Sequence, residues 1–410
     1  MSSSSLFTDP AILSLVSASL VLLLAQFYTN LVINRSLSPK MKAWVVVKNG
    51  GPSEALALKE VGEETTTSLP EPKGADVLIR VSHAALNPAD LVFMRHIPTW
   101  VPFRRQAIPA MDFAGQIIAL GPKAAAAPSH AAKPLVVGTR VAGCLNVGLI
   151  ATGHGALVEY LTVSSELVAR QPKSFGDSNA KAGPPSAGLL GCAGQTAHLA
   201  ATDARAEAAF GVAEPRVLIN GASGAVGSLL IQISKARGAY VAAVCSGKNA
   251  DFVRRLGADL VIDYTKHDPL PAYLASTGEF HGANAFNLIF DCVGDQSLFL
   301  KSPAYLTPRG ALLCIVGKGP MAVPYTLRNR LVPSILGGTP RAYRLLGMSP
   351  SGERARAVAK WADEGGLIKE MTIDSEYDMA DVKKAYEKQA TKRAVGKIVI
   401  RVQGDKKVDR

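Results

Sequence analysis

The chain is 410 residues long, enough for roughly two to three domains. With 48% hydrophobic residues, 37 glycines and 25 prolines it describes a packed, loop-connected globule, which excludes a disordered or fibrous chain. Its 45 Lys and Arg against 33 Asp and Glu leave a charge of +12, compatible with weak attraction to anionic lipids or phosphorylated ligands; with 6% aromatics and no interleaving of basic and aromatic residues, the stacking platforms of single-strand binders are missing and no nucleic-acid partner is expected.

Between Asp9 and Arg35 runs AILSLVSASLVLLLAQFYTNLVI, uncharged and with the roughly twenty residues that a helix needs to cross the hydrocarbon core. It reads as one membrane span. MSSSSLFTDP ahead of it lacks the basic residues of a cleaved signal peptide and the scattered arginines of a mitochondrial presequence, so the run is expected to be retained. Arg35, Lys40, Lys42 and Lys48 follow it, and the positive-inside rule then puts the rest of the chain in the cytosol. The expected location is the mitochondrial outer membrane or the endoplasmic reticulum, single-pass. Ser14, Ser17, Ser19, Gln26 and Asn30 dilute the apolarity, and a buried core helix is the other reading.

Met41 opens MKAWVVVKNGGPSEALALKEV, an alternating strand, a Gly-Gly-Pro turn and a second strand. Up to about Pro172 the chain continues as strands and turns: DVLIRVSHAAL, FAGQIIALG, TRVAGC and ALVEYLTV are short apolar runs bounded by Gly or Pro. The stretch Pro122 to Pro134, PKAAAAPSHAAKP, is read as a solvated loop. SFGDSNAKAGPPSAG marks a domain boundary and leads into a helix around Leu189 to Ala201. Past Glu214 strands and helices alternate (VLING, SLLIQISKARG, YVAAVCS, ADFVRRLG, LVIDY, then NLIFDCVG and ALLCIVG), which predicts a parallel sheet with helices on both faces. KGPMAVPYTLRNRLVPSILGG after the last of these strands reads as a substrate lid, a homodimer surface or both. Cys144, Cys192, Cys245, Cys292 and Cys314 stand singly, mostly in apolar segments, so inert thiols in a reducing compartment are expected, with no disulfide framework and no CxxC metal pair. The seven histidines offer no HxxxH spacing either.

The strand VLIN runs into Gly221-Ala222-Ser223-Gly224-Ala225-Val226-Gly227 and then into a helix with Val226, Leu229, Leu230 and Ile233 on one face. Lacking a Cβ, Gly224 lets backbone approach a pyrophosphate, Gly227 lets the helix pack on the strand, and the helix N-terminus turns free N–H groups to the anion. The first glycine of the GxGxxG pattern is Ala222 here, and the strand–loop–helix context carries the assignment. About twenty residues on, where an Asp or Glu would bind a ribose 2′-hydroxyl, the chain reads Cys245-Ser246-Gly247-Lys248. A hydroxyl and an ammonium suit a 2′-phosphate, so NADPH is favoured over NADH. A solvated lysine at a helix start is the other reading of Lys248.

Together MKAWVVVKNGG, AALNPADLVFMR, IPAMDFAGQIIALG, GALVEYLTV, AGQTAHLA, INGASGAVG, LGADLVIDY, FDCVG and GKIVI resemble the medium-chain dehydrogenase/reductase superfamily, in its zinc-free quinone oxidoreductase branch and close to reticulon-4-interacting-protein-like members. The resemblance runs from Met41 to Val402. It implies an α/β fold: a GroES-like β-domain over 41–180, a Rossmann doubly wound parallel sheet over 181–338 and a return to the first domain over 339–410, with GKIVI as a closing strand. One N-terminal transmembrane helix and linker, 1–40, precedes them. Zinc-using members keep a Cys near the stretch matching LNPAD and a His-Glu pair at the stretch matching MDFAG; here stand Leu86-Asn87-Pro88 and Met111-Asp112-Phe113, so no metal is expected. Without a Lewis acid to hold an alkoxide, reduction of an already electrophilic acceptor by NADPH is the expected direction.

By the same resemblance Asn87 orients the acceptor carbonyl or the nicotinamide, with Asp90 the other polar candidate near it. Thr196 lies against the nicotinamide, and Lys248 with Tyr264 takes the 2′-phosphate. Asn87-Pro88 reads equally as an Asx turn closing a strand, and Asp112 as a carboxylate bonding backbone amides. PADLVFMR is one residue longer than the family spacing and supplies no tyrosine, so no general acid is assigned. Two functions follow. One is a membrane-tethered, zinc-independent NADPH reductase of a quinone, enone or similar apolar acceptor; the other is an NADPH-binding scaffold with little turnover.

Overall fold

The structure is a computed structural model that describes residues 40–61, 69, 71–101, 106–124, 126, 133–175, 183–317 and 321–403. In chain order the first part contributes β1 (Met41–Val46), β2 (Leu56–Val61), β3 (Asp76–Ala85), helix α1 (Pro88–His96), β4 (Asp112–Leu120), β5 (Arg140–Cys144), β6 (Tyr160–Ser164) and β7 (Val168–Arg170). Helices α2 (Gly183–Leu190) and α3 (Cys192–Ala201) lead to β8 (Arg216–Asn220), α4 (Ala225–Ala236), β9 (Tyr240–Cys245), β10 (Leu260–Asp263), β11 (Phe286–Asp291), β12 (Leu306–Cys314), α5 (Ala322–Leu331) and β13 (Ala342–Leu345). The chain then forms α6 (Gly352–Asp363), β14 (Ile373–Asp378), α7 (Val382–Ala390) and β15 (Lys397–Arg401).

Two large sheets result. One runs β14-β15-β3-β4-β5-β7, with β6 also on β3, and is the GroES-like half. The expected return of the C-terminus is seen in register: β15 lies antiparallel to β3, with Val399 opposite Ala85 and Arg401 opposite His83. Period-two alternation explains the fit. Ile398 and Ile400 enter the core with Val77, Ile79, Phe113 and Tyr386, whereas Val399 joins the alanines Ala85, Ala114, Ala142 and Ala169 under the helices. Those small side chains let α2 pack on β3, β4, β5 and β15.

The second sheet is the Rossmann half, in the order β10-β9-β8-β11-β12-β13 with every pair parallel. Its strand order reverses between β8 and β11, which opens a crevice at their carboxyl ends. Beyond residue 338, β13 still belongs to this sheet, so the return to the first half begins later in the chain than the sequence suggests. The helix expected over Leu189 to Ala201 is two helices broken at Gly191, where a Cβ would stand 2.4 Å from Asp112 Cγ. KGPMAVPYTLRNRLVPSILGG holds α5, whose Val323, Leu327 and Leu331 are exposed. Among the described residues no helix is long and apolar enough to cross a membrane, and residues 11–33, read as the span, lie outside them.

Candidate active site

The chain leaves β8 through Gly221, whose φ of 81° suits a residue without a Cβ. Ala222 is buried and its N–H donates to Val244 O at 3.0 Å, so the turn is pinned to β9. Ser223, Gly224, Ala225 and Val226 remain partly open to solvent. Gly224 is the N-cap of α4 and no side chain caps the helix, which leaves its first N–H groups to an anion. A Cβ on Gly224 would meet nothing nearer than Gly221 O at 3.4 Å, while one on Gly227 would strike Gly221 O at 2.4 Å. Gly224 thus leaves the cradle open, and Gly227 lets α4 close on the strand. Leu229, Leu230 and Ile233 are fully buried beneath it, with Val226 half-buried beside them.

The opposite wall of the crevice is the FDCVG turn after β11. Buried Asp291 accepts from the N–H groups of Val293, Gly294 and Asp295 at 3.0, 2.9 and 2.7 Å and from Asn220 Nδ2 at 3.0 Å. Burial pushes its carboxyl up, against those four donors. Past β9, Ser246 is half-buried, Lys248 exposed and Tyr264 half-exposed, so all three side chains are accessible. The absence of a carboxylate after β9 is true of the sequence but not of the fold, because β10 brings Asp263 beside Gly247. Asp263 is folded into its own turn, accepting from Thr265 N–H at 3.0 Å and Thr265 Oγ1 at 2.7 Å, and these bonds hold its carboxyl below the usual range.

Asn87 follows the end of β3 by two residues and Asp112 begins β4, and the pairing of Ala85 with Asp112 brings them together. Asn87, 4% exposed, is the N-cap of α1, but its side chain does not cap the helix. Its Nδ2 donates to Asp112 Oδ2 at 2.9 Å, and Oδ1 accepts from Lys397 Nζ. Lys397 Nζ also lies 2.8 Å from Asp112 Oδ2, which closes a triangle of three buried side chains. Asp112 Oδ1 accepts from the N–H of Cys192, the first residue of α3, at 2.7 Å. So Asp112 does bond a backbone amide as expected, and binds an ammonium besides. Burial works against the charge on Lys397, yet Asp112 outweighs it and holds the ammonium above its ordinary range. One turn into α3, the Thr196 hydroxyl donates back to Cys192 O at 2.7 Å.

Asp90 faces the other way. Its Oδ2 accepts from the Asn87 N–H at 2.7 Å, a capping contact, and the side chain is 2% exposed. Beside it is a cavity of about 10 Å³, room for about one water, lined by Val46, Phe93, Met94, Ile108 and Ile150. Oδ1 of Asp90 and the hydroxyl of the neighbouring Tyr386 are buried without a well-formed hydrogen bond. Burial, with the Asp112 charge adding to it, pushes the Asp90 carboxyl up to about 7. The structure therefore gives Asn87 and Asp90 different work, one in the polar triangle and the other behind it.

Lys397, Gly396 and Asp291 are the residues that sequence reasoning missed. GKIVI shows a lysine at the mouth of an apolar strand, and FDCVG an aspartate where a strand stops; both are signals of buried, partnered charge. Gly396 N–H donates to Ser223 O at 3.0 Å, and Gly224 and Gly396 form an isolated parallel bridge. One dipeptide, Gly396-Lys397, thereby touches both the glycine loop and the Asn87 triangle.

A parallel sheet with a glycine loop at its switch point, joined through that dipeptide to a β-half carrying a buried polar cluster, defines a two-domain, dinucleotide-dependent dehydrogenase or reductase. Residues 73–173 match the alcohol dehydrogenase GroES-like domain family and residues 256–400 the zinc-binding dehydrogenase family. The medium chain reductase pydE of Acremonium sp is 36% identical over 379 residues, covering 89% of this chain and 100% of the relative. The trans-enoyl reductase poxH of Penicillium oxalicum is 31% identical over 398 residues, with 90% and 99% covered. Among solved structures, mycobacterial Rv1454c complexed with NADPH superimposes with a TM-score of 0.63 at 23% identity, covering 88% of this chain and 99% of that one. The chain belongs to the medium-chain dehydrogenase/reductase superfamily of oxidoreductases.

The name of the second matching family refers to zinc, and the described residues around Asn87 and Asp112 do not fit a zinc ion. Among the described residues no group of three His, Cys, Asp or Glu side chains is placed to hold a metal. Asp112, the one carboxylate in the triangle, is already bound by the Lys397 ammonium, which would repel a dication at that position.

Proposed function

We propose that this oxidoreductase reduces a small, apolar, activated acceptor, an enone, enoyl group or quinone, with NADPH. The observation that carries the reading is the open cradle at Gly224 joined through Gly396 to the cluster around Asn87. NADPH, when bound, supplies the hydride. The N–H groups of Ala225 and Val226 hold the pyrophosphate at the start of α4, while that of Gly224 closes the turn on Gly221 O. Ser246, Lys248 and Tyr264 take the 2′-phosphate, and Thr196 lines the nicotinamide side. Asn87 directs its unused amide N–H to the acceptor carbonyl, where negative charge develops on reduction. That relatives are named medium chain reductase and trans-enoyl reductase supports an electron-poor double bond as the target.

Residues 11–33 tether the enzyme to the mitochondrial outer membrane or endoplasmic reticulum with its catalytic part in the cytosol, where a lipid-partitioned acceptor is concentrated. The exposed apolar side of α5 serves a homodimer or a lid. Stopped-flow oxidation of NADPH with a panel of enones and quinones tests the reading, and acceptor-dependent turnover is expected. Tight NADPH binding with no turnover across the panel would leave a cofactor-binding scaffold instead.

A further inference from the structure

We propose that Lys397 is a positioning residue for hydride transfer, orienting and polarising the amide of Asn87 through direct contact and through their shared partner Asp112. The inference rests on the proposed role of Asn87. Chemistry fixes the orientation of the amide: an ammonium can only donate, so it faces Oδ1, and an ionised carboxylate can only accept, so it faces Nδ2. Reversing the amide would set N–H against ammonium and carbonyl against carboxylate. One of the two Nδ2 hydrogens is spent on Asp112 and the other is left in a fixed direction. Donation from the ammonium to Oδ1 also withdraws electron density from the amide and strengthens that remaining donor. Asp112 is itself held from three sides, by Lys397, Asn87 and the Cys192 N–H, so the triangle cannot swing as a unit. Gly396 adds a fourth restraint, since its N–H bond to Ser223 O seats the lysine against the backbone of the nucleotide loop. Lys397 is 3% exposed and Asp112 fully buried, which leaves the pair no solvent to compete for.

Lys397→Met alone would leave Asp112 charged and unpartnered in the interior, so the informative protein is the full-length double variant K397M/D112N, which removes both charges. It is expected to fold and to keep its NADPH dissociation constant within about threefold, while kcat with an enone acceptor falls about tenfold to a hundredfold. If Lys397 acts through Asn87, adding Asn87→Ala to the double variant costs little more; independent losses that multiply would overturn the proposal. A crystal structure of K397M/D112N reads the same point without turnover. The Asn87 amide should lose its fixed orientation; finding it unmoved would sink the inference. Failure of the wild-type protein to reduce any acceptor would instead sink the functional reading. If the double variant does not fold, Lys397→Arg decides the matter. Arg retains the charge but not the compact ammonium geometry, so it should keep NADPH affinity and lose kcat, and full kcat with Arg would refute positioning by the lysine.

Discussion

Gly224 and Gly227 sit three residues apart and differ in what a methyl group would do. At Gly224 the added carbon has room, so Gly224→Ala should leave thermal stability unchanged and weaken NADPH roughly tenfold or more by occupying the pyrophosphate's place. At Gly227 it would drive into Gly221 O, so Gly227→Ala should cost about 1–3 kcal/mol of stability. Thermal melts paired with fluorescence titration separate the two effects, and equal behaviour of both variants would contradict the cradle. Lys248→Glu should weaken NADPH roughly tenfold more than NADH, since only NADPH carries the phosphate that the reversed charge repels; an equal loss for both would reject the 2′-phosphate assignment.

Asp90 carries a proton dependence of its own. Its carboxyl is raised from 3.8 to about 7 on folding, so the folded chain holds the proton more tightly than the unfolded one. The stability linked to it is complete below about pH 4 and is lost as pH rises through about 7. Asp90→Asn is neutral throughout and keeps an acceptor for the Asn87 N–H. Melting temperature should therefore fall less between about pH 5 and 8 in this variant than in the wild type, and identical slopes would rule Asp90 out as the titrating group.

Elements show why parts of the molecule were legible in the sequence and others not. The loop from Gly221 to Gly227 is local: strand, turn glycines and amphipathic helix follow one another, and each is constrained by its neighbours. The alternation in GKIVI likewise marks a strand half in one core and half in another. Nothing local says that Lys397 meets Asn87, because 310 residues separate them and only the antiparallel seating of β15 on β3 unites them. Asp263 escaped for the same reason, since it stands on a neighbouring strand and not at the end of β9. At the break, Asp112 comes close to Gly191 and accepts from the Cys192 N–H, a contact that nothing local to residues 189–201 shows. Removal of β15 tests its place in the first half. A chain ending at residue 396 should lose the cooperative melt of the GroES-like half, because it uncovers β3 at residues 83–85, leaves β14 without its partner and takes Ile398 and Ile400 from the core. An unchanged melt would mean that β15 is dispensable.

For the whole molecule, ligand linkage offers the most direct measurement. NADPH at about a hundred times its dissociation constant should add about 2.7 kcal/mol to the stability of the folded state, seen as a higher melting temperature. Because Gly396 ties the nucleotide loop of one half to β15 of the other, both should shift together; a rise confined to one transition would show that they are energetically separate. The proposed tether is checked by fractionation: the full chain should remain with membranes after an alkaline carbonate wash, and recovery in the wash supernatant would remove the span. With its +12 charge the protein also has reason to prefer anionic vesicles at low salt, an effect that should fade as ionic strength rises.

The seating of β15 reverses the order in which the chain is made. Synthesis delivers Asn87 and Asp112 early, yet the strand that neutralises Asp112 follows only after the whole nucleotide-binding half. Until β15 has been made, Asp112 lacks the ammonium that faces it in the folded chain. The nucleotide-binding half, contiguous between Arg216 and Leu345, has all its strands much sooner. A translation product that stops before Lys397 is therefore expected to carry every strand of the nucleotide-binding sheet beside a β-half whose central carboxylate has no counter-charge.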